Sequence, residues 1–80
     1  MIFVYIIQSL HDKKYYIGIT IDLDNRLRKH NQGGVQSTKN RRPFKLVHFE
    51  KFDNYQSARA REKEIKSYKG GNNFKALMNK

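Results

Sequence analysis

The chain opens on IFVYIIQ at 2–8, where β-branched and aromatic residues fill both parities before polar residues return. That is the pattern of a buried strand. A polar connection, SLHDKK, leads to YYIGIT at 15–20, which pairs back as the second strand of a hairpin, with Tyr16, Gly18 and Thr20 on one face and Tyr15, Ile17 and Ile19 on the other. The period then lengthens. Leu23 and Leu27 sit one helical turn apart, Asp22 is placed to cap the N-terminus, and Lys29 with Gly33-Gly34 marks an end near Asn31. QGGVQSTKNRRP, 32–43, has no period and reads as a basic loop closed by the only proline. FKLVHFEKF after it is a third strand, apolar enough to be expected at the centre of the sheet. Asn54 is a cap for a second helix to about Tyr68, KGG at 69–71 stops it, and Asn72 is expected to cap a short terminal helix carrying Phe74, Leu77 and Met78.

Eighty residues, 38% hydrophobic, allow one small domain with one core. The chain has no cysteine, so it has no disulfide and no thiolate metal site, in keeping with a reducing cytoplasm. The opening apolar run lacks a basic flank and a cleavage site and is too short for a membrane span. Seventeen Lys and Arg against seven Asp and Glu give a net charge of +10. Such an imbalance points to a polyanion, nucleic acid before an anionic membrane, because no basic amphipathic helix with a free apolar face stands out.

Two helices carry polar residues where apolar ones are expected. On the second, Tyr55, Ala58 and Ile65 form one stripe at 100° per residue, and Glu62 falls within it. A carboxylate there needs a partner, either an Arg in a structural salt bridge or a bound cation. On the first, Arg26 and His30 at i and i+4 flank the Leu23–Leu27 stripe and can reach one point in space. Gly18 in mid-strand packs nothing and weakens the strand, so a bulge, a tight contact or a ligand's approach must account for it. With Tyr5 and Tyr16 on the two hairpin strands, these are the parts of a phosphodiester-cleaving site.

VYI at 4–6 and YIG at 16–18 resemble the paired signature of the GIY-YIG nuclease superfamily. DLDNRLRKHNQG resembles its helix with Arg and His, STKNRRPFKLVHFEKF its loop and third strand, and SARAREKEIKSY the helix bearing its metal-binding glutamate. The likeness covers nearly the whole chain and is nearest to small stand-alone bacterial members. Phe3 and Val4 stand where the family has glycine and isoleucine, leaving Tyr5 of the first triplet intact. The resemblance implies an α/β fold of one domain over 1–80: a small mixed or antiparallel three-stranded sheet flanked by helices, in the order β-β-α-β-α with a short terminal helix.

It also implies hydrolysis of a nucleic-acid phosphodiester, most readily DNA, with one divalent cation. Glu62 would hold Mg²⁺ or Mn²⁺, and Arg26 would bind the scissile phosphate. Tyr5 is the first candidate for the base that activates water, Tyr16 would orient water or phosphate, and His30 is a competing base or a substrate-positioning group. At Gly18 the missing side chain is expected to admit the substrate. Ser37, Thr38, Lys39, Arg41 and Arg42 are expected to grip flanking phosphates without reading bases. Asn72 and Asn73 have no assigned role. Two other readings are a non-catalytic nucleic-acid-binding module in which Glu62 pairs with Arg26, and a protein-interaction module.

Overall fold

The computed structural model describes residues 1–79; Lys80, the last position of the expected domain, lies outside the described residues. β1 (Ile2–Ser9), β2 (Tyr15–Thr20) and β3 (Phe44–Phe52) form one antiparallel sheet in the order β2-β1-β3. The expectation that the third strand is central is therefore corrected. β1 has apolar residues at both parities and pairs on both sides, whereas β3 exposes Lys45, Phe49 and Lys51 along an edge.

α1 (Leu23–Asn31) starts where Asp22 accepts a hydrogen bond from the Asn25 amide. It ends in a Schellman motif. Gly33 at φ +81° donates to the His30 carbonyl and Gly34 to that of Lys29, so glycine fits at the left-handed position. α2 (Tyr55–Ser67) starts from Asn54, whose side chain accepts from the Ser57 amide. α3 (Asn72–Met78) has Gly71 at its cap, with Asn72 as its first helical residue instead of the cap. The loop between α1 and β3 contains one 3-10 turn, Lys39–Arg41.

The helices divide the sheet between two cores. On one face Val4 and Ile6 pack with Ala58 and Ile65 of α2 and Phe74 of α3. On the other, Tyr5, Ile7 and Phe44 pack with Leu23 and Leu27 of α1. Tyr55, expected in the α2 stripe, is instead 53% exposed at the first turn of α2, where its contacts are with Arg59. No helix among the described residues is long and apolar enough to cross a membrane.

Candidate active site

The α1-side face of the sheet carries Tyr5, and α1 brings two side chains to its hydroxyl. Arg26 Nε donates to Tyr5 Oη at 3.2 Å, and His30 Nε2 lies 2.9 Å from the same oxygen. One turn separates Arg26 from His30, so the i, i+4 spacing delivers both to one point. On its other side His30 Nδ1 lies 2.7 Å from Thr38 Oγ1, and the Thr38 hydroxyl reaches the Val35 carbonyl at 3.4 Å. Tyr5, His30 and Thr38 are at most 2% exposed.

The protons in this chain have one arrangement that gives every donor an acceptor. Arg26 can only donate to Tyr5, so Tyr5 donates to His30 Nε2, His30 Nδ1–H donates to Thr38, and Thr38 donates to Val35. With the opposite tautomer the buried Tyr5 proton would have no acceptor. Burial and then the Arg26 charge lower the His30 pKa to about 4, so the imidazole is neutral near pH 7. Burial also raises the Tyr5 pKa, opposed by the hydrogen bond and charge of Arg26. Arg26 is held more firmly charged by Tyr5, with Tyr16 adding to the effect.

Tyr16 is half-buried beside this chain, its ring 6.4 Å from that of Tyr5 and 5.1 Å from that of His30. Gly18 lies directly across from Tyr5 in the sheet register. A Cβ there would stand 2.5 Å from Tyr5 Oη and 2.6 Å from Cζ. What the bare backbone admits is thus the phenol of Tyr5, which corrects the expectation that substrate fills the gap. Any side chain would push Tyr5 off Arg26 and His30.

Glu62 extends from α2 with its side chain 18% exposed, and its nearest ion pair is Lys66, at 3.2 Å. The structural salt bridge considered for it, to an Arg, is replaced by this i, i+4 pair. Glu62 lies close enough for its charge to add to the rise in the Tyr5 pKa. Among the described residues no three His, Cys, Asp or Glu side chains gather into a metal cage. The donor set still fits a hard cation such as Mg²⁺, which keeps several waters and binds through one or two carboxylates plus phosphate. A half-buried carboxylate whose partner is a lysine 56% exposed can exchange that partner for a cation.

The loop residues divide. Ser37, Lys39 and Arg42 face solvent. Thr38 does not: it is fully buried against His30, so its expected grip on flanking phosphate is corrected to a contact inside the site. Arg41 is drawn inward, its Nε 3.0 Å from Asp12, its carbonyl accepting from Ser9 and its guanidinium 5.8 Å from the Phe44 ring. Thr38 looked like one more hydroxyl in a basic loop, and only the turn from Gly33 back toward α1 shows its role.

The GIY-YIG catalytic domain matches residues 1–75. A UPF0213 protein of Haloquadratum walsbyi is 48% identical over 67 residues, covering 82% of this chain and 74% of the relative. One from Pediococcus pentosaceus is 38% identical over 76 residues, 94% of this chain and 80% of the relative. The solution NMR structure of the UPF0213 protein from Bacillus halodurans matches with a TM-score of 0.51 at 38% identity, covering 84% of this chain and 72% of that one. The match over residues 1–75 and relatives at 38–48% identity place this chain in the GIY-YIG catalytic domain family, a family of nucleases.

Proposed function

We propose that this chain is a metal-dependent endonuclease that hydrolyses nucleic-acid phosphodiester bonds, DNA foremost, with Arg26, Tyr5 and His30 acting on phosphate and water and Glu62 holding the cation. The observation that supports it most is the convergence of Arg26 and His30 on the Tyr5 hydroxyl. Among the described residues no carboxylate lies within ion-pair distance of Arg26. A half-buried cation without a counter-ion is suited to an anionic substrate.

Each group has a role its chemistry permits. Arg26 keeps its Nη groups for the scissile phosphate while Nε holds Tyr5, and it stabilises charge gathering on the equatorial oxygens. Tyr5 Oη takes a proton from the attacking water as its own proton passes to His30 Nε2. The water oxygen then bonds to phosphorus, the opposite P–O bond breaks, and the leaving oxygen takes up a proton from solvent. Thr38 keeps the other imidazole nitrogen protonated, so Nε2 is free to accept. Tyr16 orients the phosphate beside Arg26. Held at Glu62, Mg²⁺ or Mn²⁺ would supply Lewis-acid stabilisation of the phosphate oxygens and acidify the attacking water. Ser37, Lys39 and Arg42 supply flanking contacts, whose strength should fall steeply with salt.

The test is cleavage of a panel of labelled DNA and RNA structures with Mg²⁺, Mn²⁺ or EDTA, using the wild type and a folded Glu62→Ala variant. Metal-dependent products that vanish in Glu62→Ala support the proposal. Salt-sensitive binding with no product from any substrate and metal would replace it with the non-catalytic nucleic-acid-binding module.

A further inference from the structure

Two phenylalanines on the α1-side face belong to neither core. Phe49 of β3 is directly opposite Tyr5, and Phe3 of β1 is two residues from Tyr5 on the same face. Their rings meet edge to face, with centroids 6.1 Å apart at 64°, and Phe49 remains 45% exposed. Along this face the rows containing Ile7, Leu46 and Phe44 are packed under Leu23 and Leu27 of α1. Tyr5 is thus at a boundary, with a covered row on one side and an open aromatic one on the other. The next position on β3 along that open side is Lys51, across from Phe3.

The outer edge of β3 adds a second feature. Pairing with β1 shifts register between Ile6 and Ile7, and at this bulge a hollow of about 420 Å³ opens, lined by Leu46, Val47, His48 and Phe49. Its size falls within the range of small-molecule clefts in general, about 300–1,000 Å³. A second copy of this chain is a poor occupant. Bulges and lysines discourage edge-to-edge pairing, the strand carries Lys45 and Lys51, and each copy brings a charge of +10. The surroundings suit a flat apolar group tethered to negative charge. A nucleobase on its phosphate chain is such a group, and only an unpaired one has a face free to stack on an exposed aromatic ring.

We infer that Phe49, backed by Phe3, is a stacking platform for an unpaired nucleobase next to the phosphate held at Arg26. The preferred substrate then has an unpaired nucleotide beside the cut. The placement beside the cut rests on the nuclease reading, whereas the stacking itself does not.

Binding in EDTA separates the two. The chain contains no tryptophan, so Phe49→Trp places one reporter at the platform. Titration with an oligodeoxythymidylate strand should quench its fluorescence with affinity near that of the wild type, and a blunt duplex of equal length should leave it bright. Phe49→Ala should bind the single strand about 5- to 100-fold more weakly, and the duplex within about twofold, with the salt slope unchanged because no charge is removed.

An indole that stays bright with the strand bound would overturn the inference. So would equal losses on strand and duplex, unaltered strand binding by Phe49→Ala, or a dimer that Phe49→Ala dissolves. Cleavage without a stacking signal leaves the nuclease and removes the platform. Stacking without cleavage in any metal supports the platform and removes the nuclease.

Discussion

The two faces of the sheet each carry a polar network containing Arg, His and Tyr, and they differ in one ingredient. On the α2 side, Arg61 donates from Nε and Nη2 to the Glu50 carboxylate at 2.8 and 3.0 Å and from Nη1 to Glu64 at 3.0 Å. His48 Nε2 lies 2.7 Å from the same Glu50, and Tyr68 donates to Glu64 at 3.2 Å. Here Arg61 and His48 both face a carboxylate, and Arg61 followed by His48 holds the Glu50 pKa down. On the α1 side, Arg26 meets only hydroxyls and a neutral ring, and its charge helps push the His30 pKa down. The compensated network fastens α2 to β3, while the uncompensated one leaves a positive charge for an incoming anion.

The comparison breaks most visibly at Tyr5. Tyr5→Phe keeps the ring that fills the space over Gly18 and removes the shared hydroxyl, so the cleavage rate should fall by about 10²–10⁴-fold. Its stability should drop by only about 1 kcal/mol, the scale of one hydrogen bond. Single-turnover cleavage and thermal unfolding of the same preparation read both. Arg61→Ala should do the reverse. Removing the guanidinium that joins Glu50 to Glu64 should cost about 1–2 kcal/mol after allowance for partial exposure, a fall in Tm of about 4–8 °C per kcal/mol in a domain this small. Cleavage per folded molecule should be retained. Loss of activity without loss of stability in Arg61→Ala would erase the distinction between the faces.

The networks also answer acid differently. His30 has an ordinary pKa of 6.5, lowered to about 4 in the folded chain, so in between only the unfolded state binds its proton. Stability should therefore fall as pH drops through that window and level off below it, and His30→Gln should flatten the slope in urea unfolding measured from pH 7 to 4. Glu50, its pKa lowered from the usual 4.5, acts with the same sign in a lower window: its contribution is intact above that value and is lost as pH falls below it. Arg61→Ala should diminish that lower-pH loss and leave the His30 window in place.

Much of this was legible because local signals were strong. Period-two alternation bounded β2 at Tyr15 and Thr20, and side-chain caps at Asp22 and Asn54 placed the helix starts. The meeting of Arg26 and His30 followed from helix geometry alone. Long-range facts were hidden. Strand order depends on which strand finds two partners, and the apolar density of β3 does not reveal that β1 lies between its neighbours. Thr38 returns to His30 only through the loop's tertiary path, and Gly18 serves a side chain on another strand. The α2-side network left one trace, His48 and Glu50 two apart on a strand and so on one face, but its closing partner Arg61 lies on α2.

The smallest effect is expected at Lys66. Lys66→Ala frees Glu62 from an exposed pair, and Mn²⁺ affinity followed by paramagnetic relaxation should rise by no more than about fivefold. A fall in affinity would mean that the lysine orients the carboxylate for the cation.

The most direct measurement is the tautomer and pKa of His30, read from long-range ¹H–¹⁵N spectra of the wild type and Thr38→Val between pH 3.5 and 8. In the wild type the proton should sit on Nδ1 at pH 7, with titration near pH 4, and in Thr38→Val the preference for Nδ1–H should weaken. A proton on Nε2 at pH 7, or titration near 6.5 in the wild type, would contradict the one-directional chain from Tyr5 through His30 to Thr38.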